Sequence, residues 1–148
     1  MKVCLAFTDR QPESVREMYQ EAVCALWEAW PRFRGESKES TWVYRIALNT
    51  AVTQLRHRSR QPRLVELTDE MERTLREEKT DALVDRLYTL IDRLAPPDRA
   101  LILLYLDKLP EREIATVTGI SEGNVRLRIH RIKQKLIALN NEYGTEQL

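Results

Sequence analysis

The chain has 148 residues, of which 43% are hydrophobic and 32% are charged, and its net charge is +1. This length allows one domain of ordinary size or two small ones. The hydrophobic fraction is sufficient for packed cores, which excludes a chain that is disordered throughout. With only four Gly and six Pro, the chain lacks the turn residues that a β-rich fold needs, and helix-forming residues dominate. We therefore expect an all-α protein.

Residue usage excludes two further classes of protein, those that span or cross a membrane and those that hold a metal. No apolar run is long enough to span a bilayer, and Met1–Thr8 is too short to be a signal peptide. We therefore expect a cytoplasmic protein. Cys4 and Cys24 lie far apart and only two histidines accompany them, so we predict neither a metal site nor a cofactor. Both cysteines are expected to be small, buried, apolar residues.

The most regular apolar pattern in the first half of the chain runs from about Ser14 to Trp30. Apolar residues recur there every three or four positions, which predicts an amphipathic helix. Ser14 and Glu17 have the spacing of a capping box, and Pro31 is expected to end the helix. Trp27 and Trp30 belong to the apolar face, so we expect both in the core.

Helical patterns flank this segment, and charge is unevenly distributed beyond it. Val3–Phe7 is expected to be the last turns of a helix, and 41–58 repeats apolar or small residues at helical spacing. Acidic residues outnumber basic ones in 61–80, which predicts a tether. Basic residues are concentrated on either side, in 45–60 and 121–140. Either basic segment alone is compatible with a solvated helix, whereas both together favour an anionic partner.

Four helices are predicted in the last third of the chain. A leucine stripe begins near Thr80, whose side chain is expected to cap the helix, and stops at Ala95. Pro96 and Pro110 each occupy the start of a further helix, where proline is well tolerated. The last helix is the longest and covers about 121–139.

Residues 110–136 have the layout of a helix-turn-helix. Ala115 is small where two helices must approach, Gly119 can adopt the positive φ of the turn, and Val125 faces back onto the first helix. Ser121 has the side chain that caps a helix N-terminus. Asn and Arg side chains form paired hydrogen bonds with base edges in the major groove. The residues predicted to face DNA are Ser121, Glu122, Asn124, Arg126, Arg128 and Arg131.

A second interpretation of this segment is a helical hairpin that only packs, with its arginines in water. The spacing of small and apolar residues coincides with the arginine cluster, and this coincidence favours DNA binding. The output domains of response regulators have almost the same pattern. The helix-turn-helix therefore does not by itself define the class of protein.

Three motifs in the first half of the chain indicate the class of protein: EMYQE, FRGES and TWVYRIALN. They resemble, in the same order, the motifs of the σ2 domain of extracytoplasmic-function (ECF) sigma factors, which are D-L-x-Q-E, F-R-G-E-S and T-W-x-Y-R-I-A-x-N. The C-terminal part is similar to the σ4 domain of that family. The resemblance implies two small helical domains: a σ2-like domain at 1–60, an acidic linker at 61–80 and a σ4-like helix-turn-helix domain at 81–148.

Two features depart from the family pattern. The family's σ2 domain carries about one and a half helices upstream of the position of Met1, so its first helix is expected to be truncated here. Glu39 stands where the family usually has an aromatic or apolar residue. With less of the domain available to cover it, the apolar face of the 14–30 helix is predicted to be partly satisfied by a partner.

The resemblance implies that the chain binds core RNA polymerase and promoter DNA and directs transcription initiation, with an anti-sigma factor as a further candidate partner. Glu17, Gln20 and Glu21 would dock on the largest polymerase subunit. Separated DNA strands are held by stacking, by base pockets and by cations. The residues implied at the −10 element are Phe33, Arg34, Ser37, Trp42, Arg45, Asn49, Arg56 and Arg58. Trp42 and Tyr44 remain ambiguous between core and contact.

Other functions are weighed against this one. The main alternative is a helix-turn-helix regulator that does not act as a polymerase subunit, although it would lack the FRGES and TWVYRIALN motifs. A degenerate factor that binds polymerase but not DNA is a further alternative. No enzyme is expected, since no nucleophile stands with a base and no carboxylates are spaced to hold a metal. The acidic linker is either a solvated tether or a mimic of RNA in the polymerase cleft.

Overall fold

The computed structural model describes residues 1–60 and 82–145, and every element within these ranges is helical. This confirms the all-α prediction. The predicted linker at 61–80, with Thr80 as a cap, lies outside the described residues. The elements are α1 (Lys2–Ala6), α2 (Pro12–Ala29), a 3₁₀ turn (Trp30–Arg32), α3 (Glu39–Arg60), α4 (Ala82–Asp92), α5 (Pro96–Leu106), α6 (Glu111–Thr118) and α7 (Glu122–Thr145).

Helix α2 begins two residues before its predicted start. Gln11 is the N-cap, Pro12 occupies the first turn, and no side chain caps the N-terminus. The fixed φ of proline suits the first turn of a helix, where its missing N–H costs nothing. The predicted capping box of Ser14 and Glu17 is wrong, because both residues already lie inside the helix.

Only one side of α2 is covered by other helices. It packs against α3 and α1, and Met18 and Ala22 are its buried residues. Trp27 is 83% exposed and Trp30 is 53% exposed, so the prediction that both lie in the core is wrong. Two neighbouring helices cannot cover an apolar face as broad as this one. The exposed apolar side chains of α2, here called the α2 strip, are Tyr19, Val23 and Trp27.

Helix α5 lies at the centre of the C-terminal helices, α4 to α7. Residues 100–104 are all buried, and a helix that is apolar on every side is typical of a protein interior. It packs against α6, α7 and α1. Pro96 stands in its first turn, as predicted, with Ala95 as the N-cap in an extended conformation.

Helix α1 joins the N-terminal helices, α1 to α3, to the C-terminal helices. It contacts α2 and α3 and also α4 and α5. Phe7 is 1% exposed, and its hydrophobic cluster includes both Leu48 of α3 and Leu101 of α5. Cys4 is buried there, as predicted, whereas Cys24 is exposed on α2, contrary to the prediction. The two groups of helices therefore share one core.

Candidate nucleic-acid interface

The predicted helix-turn-helix is confirmed in α6 and α7. Gly119 has φ of 73°, a conformation that favours glycine, and its N–H donates to the carbonyl of Ala115 at 2.8 Å. Ser121 Oγ accepts from the N–H of Asn124 at 3.3 Å, capping α7 as predicted. Val125 is fully buried, and α7 packs against α6. These local contacts fix which face of α7 points outward.

The side chains of α7 that were predicted to face DNA are exposed, apart from that of Arg128. Arg128 is half-buried and donates to Asp98 Oδ1 of α5 at 2.7 Å. Arg126 is 74% exposed and forms a paired contact with Glu111, in which Nη2 lies 2.6 Å from Oε2 and Nε lies 3.2 Å from Oε1. The exposed members of the set are Ser121, Glu122, Asn124, Arg126 and Arg131.

The Arg126–Glu111 pair changes the electrostatics of this face. The hydrogen bond from Arg126 lowers the pKa of the Glu111 carboxyl, and that carboxylate raises the pKa of the guanidinium. A carboxylate from α6 thus neutralises the charge of an arginine that was predicted to face DNA. Glu111 was not among the predicted residues, because helical periodicity within α6 does not reveal which α7 side chain lies opposite.

Three aromatic rings meet beside the loop between α2 and α3. The ring centroids of Trp30 and Phe33 are 5.6 Å apart with nearly parallel planes. Those of Phe33 and Trp42 are 5.1 Å apart, and those of Trp30 and Trp42 are 5.9 Å apart. Such offset and edge-on contacts add stability beyond the burial of area. Trp42, left ambiguous by sequence, therefore belongs to a half-exposed cluster that we call the ring cluster.

A cavity of about 290 Å³ lies against the ring cluster. Five predicted −10 residues line it together: Phe33, Arg34, Ser37, Trp42 and Arg45. Arg32, Glu36 and Thr116 also line it and were missed. Arg32 was detectable as a further cation in the loop, whereas Thr116 lies on α6 and enters only through tertiary packing. Aromatic faces beside guanidinium groups bind unpaired bases through stacking and charge.

The remaining predicted −10 residues lie elsewhere on α3. Asn49 is exposed and lines a separate groove of about 220 Å³ that Arg128 also lines. Arg58 pairs with Glu17 of α2 at 3.6 Å, and Arg56 is exposed on the same last turns. The structure therefore does not bring these three residues into the cavity. Tyr44, the other ambiguous aromatic, packs against the core and donates from its hydroxyl to Asp107 Oδ2 at 2.6 Å.

The three residues predicted to bind polymerase share one accessible surface. Glu17, Gln20 and Glu21 are all exposed on α2 and lie beside the α2 strip. The described parts of the chain contain no group of three His, Cys, Asp or Glu placed to hold a metal ion. No helix within those parts has both the length and the apolar character needed to cross a membrane.

Comparisons with known proteins agree with these motifs. Family models for Sigma-70 region 2 and Sigma-70 region 4 match residues 1–61 and 85–136. The RNA polymerase sigma-H factor of Pseudomonas aeruginosa is 31% identical over 138 residues, which cover 84% of this chain and 72% of that protein. The ECF RNA polymerase sigma-E factor of Escherichia coli K12 is 30% identical over 139 residues, covering 82% and 71%. The chain belongs to the ECF group of sigma factors.

This sigma factor directs transcription initiation, and the regulator that does not act as a polymerase subunit is not favoured. Solved structures agree on the fold. The sigma factor RpoE of Bartonella quintana, solved with the anti-sigma factor NepR, superposes with a TM-score of 0.69 at 16% identity, over 95% of this chain and 88% of that one. CnrH, solved with the cytosolic domain of CnrY, gives 0.67 at 23% identity, over 95% and 79%.

Proposed function

We propose that this sigma factor contacts promoter DNA through two domains, with 1–60 at the −10 element and 81–148 at the −35 element, joined by a linker at 61–80. The ring cluster and its cavity carry the proposal. Melted DNA exposes unpaired bases, and a protein that holds them needs aromatic faces, a recess and nearby cations. The loop before α3 and the first turns of α3 supply all three within one site.

At the −10 element, the proposed base-binding site is the cavity itself. Phe33 and Trp42 offer ring faces, and Arg34 and Arg45 offer cations to the backbone of the displaced strand. Ser37 supplies a hydroxyl that can donate to or accept from a base edge. Asn49, Arg56 and Arg58 continue along α3 outside the cavity. We assign these three to the DNA that leaves the site.

At the −35 element, the proposed reading surface is the outward face of α7. Asn124 lies in the first turn, where a helix lying in the major groove presents side chains to base edges. Arg126 follows half a turn later, and Arg131 lies further along, where a phosphate contact is expected. Ser121 and Glu122 flank the helix start, whose N–H groups favour phosphate. The ion pair with Asp98 makes Arg128 an orienting residue that also faces DNA.

The proposed polymerase-binding surface is the exposed face of α2. Exposed apolar patches bordered by polar residues mark interaction sites, and the α2 strip is bordered by Glu17, Gln20 and Glu21. An anti-sigma factor is a second proposed partner, supported by the partners named with the two superposed structures. A subunit of this kind has no catalytic step of its own and works in the cytoplasm, with the promoter.

Capture by core polymerase followed by run-off transcription tests this proposal. The triple variant Glu17→Ala/Gln20→Ala/Glu21→Ala should lose capture and transcription, while Glu13→Ala, an exposed acid one turn earlier on α2, should retain both. Phe33→Ala should be captured normally but give little transcript. Capture without transcription by the unchanged chain would support the degenerate factor. Absence of both would remove the proposed role at the promoter.

A further inference from the structure

Glu111 contacts Arg126 along one edge of its planar guanidinium group. Nη2 of Arg126 lies 2.6 Å from Oε2, and Nε lies 3.2 Å from both carboxylate oxygens. The N–H donors of an arginine side chain point outward in a fixed fork. This contact occupies the inner edge, formed by Nε and Nη2, and Nη1 takes no part in it. The outer edge, formed by Nη1 and Nη2, is therefore left for a second paired contact.

Both residues of this pair stand on helices that the core holds in place. Glu111 is the first residue of α6, and Ile114, three residues later, is fully buried. Arg126 follows the fully buried Val125 on α7, and the two helices pack together. Side chains on packed helices have better defined positions than side chains on loops. Glu111 is therefore well placed to fix the direction of the Arg126 guanidinium.

The pair contributes little to the stability of the fold. The side chain of Arg126 is 74% exposed and that of Glu111 is 38% exposed. Ion pairs between exposed side chains are screened by water and salt, so their net contribution to folding is small. Stabilisation of the fold is therefore a weak explanation for an acid at this position. The contact instead concerns the face of α7 that was predicted to meet DNA.

The carboxylate also changes which part of DNA Arg126 favours. Arginine binds phosphate through charge, and it binds guanine through paired hydrogen bonds to O6 and N7. The pKa of Arg126 is raised mainly by its bond to Glu111 and further by the charge of the exposed Glu122. These two acids weaken the attraction of Arg126 to a phosphate. Hydrogen bonds to the neutral acceptors of a base do not require a net charge, so the arrangement favours a base.

We propose that Glu111 is a positioning residue for base recognition: it holds the inner edge of Arg126 so that the outer edge binds O6 and N7 of one guanine at the −35 element. This assignment rests on the proposed function of α7, whose outward face enters the major groove. The ion pair stays intact on DNA, because the carboxylate and the guanine use different edges of the guanidinium. Discrimination at one base pair then depends on two residues, of which only Arg126 touches DNA.

Selection of DNA sequences by the holoenzyme tests the role of Glu111. The probe is a library of duplexes randomised over both promoter elements, and the bound and unbound molecules are sequenced. The variants are Arg126→Ala, Glu111→Ala and Glu111→Asp, which keeps the charge but is one methylene shorter. The matched control is Asp85→Ala, which removes an exposed acid from the first turn of α4. Urea unfolding should give all four variants nearly the midpoint of the unchanged chain.

The unchanged chain should prefer guanine at one −35 position by about five- to a hundredfold, the range of one paired arginine contact, and Arg126→Ala should abolish that preference. Glu111→Ala and Glu111→Asp should each lower it by about three- to tenfold, the cost of ordering one long side chain on binding. Glu111→Ala should also raise the affinity for non-promoter duplex by about two- to fivefold, because the charge of Arg126 is no longer neutralised. Glu111→Asp and Asp85→Ala should leave that affinity unchanged, and Asp85→Ala should also keep the full guanine preference.

A full guanine preference in both Glu111 variants would overturn the proposal, and so would a base other than guanine at the position that Arg126→Ala affects. Weaker binding of promoter and non-promoter duplex alike by Glu111→Ala would overturn it too, because Glu111 would then only support the fold. In each of these cases the proposed function of α7 stands. If the unchanged holoenzyme selects no sequence at the −35 element, that proposed function fails and the role of Glu111 fails with it.

Discussion

The two proposed DNA-binding surfaces are built in opposite ways. The ring cluster groups Trp30, Phe33 and Trp42 beside a cavity, and the cations of that cavity come from the segment before α3 and from α3 itself. The face of α7 is a regular helix whose exposed polar side chains are held over a fully buried apolar side, where Val125 is 0% exposed. The ring cluster offers aromatic ring faces and a recess, whereas the face of α7 offers hydrogen-bonding side chains at helical spacing.

This difference corresponds to two states of DNA. Unpaired bases present flat faces that any aromatic ring can stack on, so a recess lined by rings suits melted DNA. Paired bases present only their edges in the groove, which amides and guanidinium groups read. The comparison also predicts that the two surfaces respond differently to substitutions. The face of α7 depends on the core beneath it, while the ring cluster depends on the rings themselves.

The largest expected effect concerns the core under α7. Ile114 is 0% exposed, so Ile114→Ala should lower the free energy of unfolding by about 2–5 kcal/mol and weaken binding to −35 duplexes. Trp27→Ala, at an 83% exposed position, should change it by less than about 0.5 kcal/mol. Urea unfolding measures both. An equal loss of unfolding free energy in the two variants would contradict the exposed position of Trp27 on α2.

The ring cluster should respond in binding more than in stability. Phe33→Ala should weaken binding of a single-stranded −10 oligonucleotide in the presence of core polymerase by about 1–3 kcal/mol, the contribution of one stacked base. Phe33→Tyr, which keeps the ring, serves as the control and should bind nearly as tightly. If the tyrosine variant loses as much as the alanine variant, stacking at this position is not the source of affinity.

On α7, base-reading and phosphate-binding side chains should separate. Asn124→Ala should reduce discrimination at one −35 base pair by about 1–2 kcal/mol, within the range of a paired base contact. Arg131→Ala should weaken all sequences alike and reduce the salt dependence by about one ion. Binding by the holoenzyme to a set of single-base promoter variants measures both. Uniform loss in the asparagine variant would remove its reading role.

The smallest expected effect is a dependence on acidity. The pKa values of Asp107 and Glu113 are lowered, mainly by hydrogen bonds from Lys2 and Tyr44 in the first case and from Lys38 in the second. The folded chain therefore binds protons at these two carboxyl groups less readily than the unfolded chain does. Their contribution to stability is present above the ordinary pKa values, 3.8 for Asp107 and 4.5 for Glu113, and is lost as pH falls below these values toward the lowered pKa values of the folded chain.

Thermal unfolding between about pH 7 and about pH 3 measures this loss. Asp107→Asn/Glu113→Gln should show a smaller drop in the unfolding midpoint than the unchanged chain, because its amides do not titrate. Glu13→Gln/Glu28→Gln, which changes net charge equally at two exposed positions of α2, should follow the unchanged chain. Parallel curves for all three proteins would mean that the hydrogen bonds of Asp107 with Lys2 and Tyr44, and of Glu113 with Lys38 and Thr41, do not contribute to stability above pH 4.5.

The sequence by itself determined the helix-turn-helix and most of the helical order. The turn depends on Gly119, Ala115 and Ser121, which lie within seven residues of one another. Their spacing along the chain is therefore sufficient to predict their contacts. Pro96 and Pro110 placed two helix starts for the same reason. The FRGES and TWVYRIALN motifs likewise identified five residues that the structure brings to one cavity.

Tertiary structure decided what spacing cannot specify. Periodicity identified the apolar face of α2 but not how much of it two neighbours would cover, so the core placement of Trp27 and Trp30 was wrong. The Ser14–Glu17 spacing suited a cap, but the proline before it had already begun the helix. Glu111 pairs with Arg126 of the following helix, and Thr116 lines a cavity with Phe33 and Trp42, which are distant along the chain. Contacts of that kind depend on how helices pack, and no local pattern encodes them.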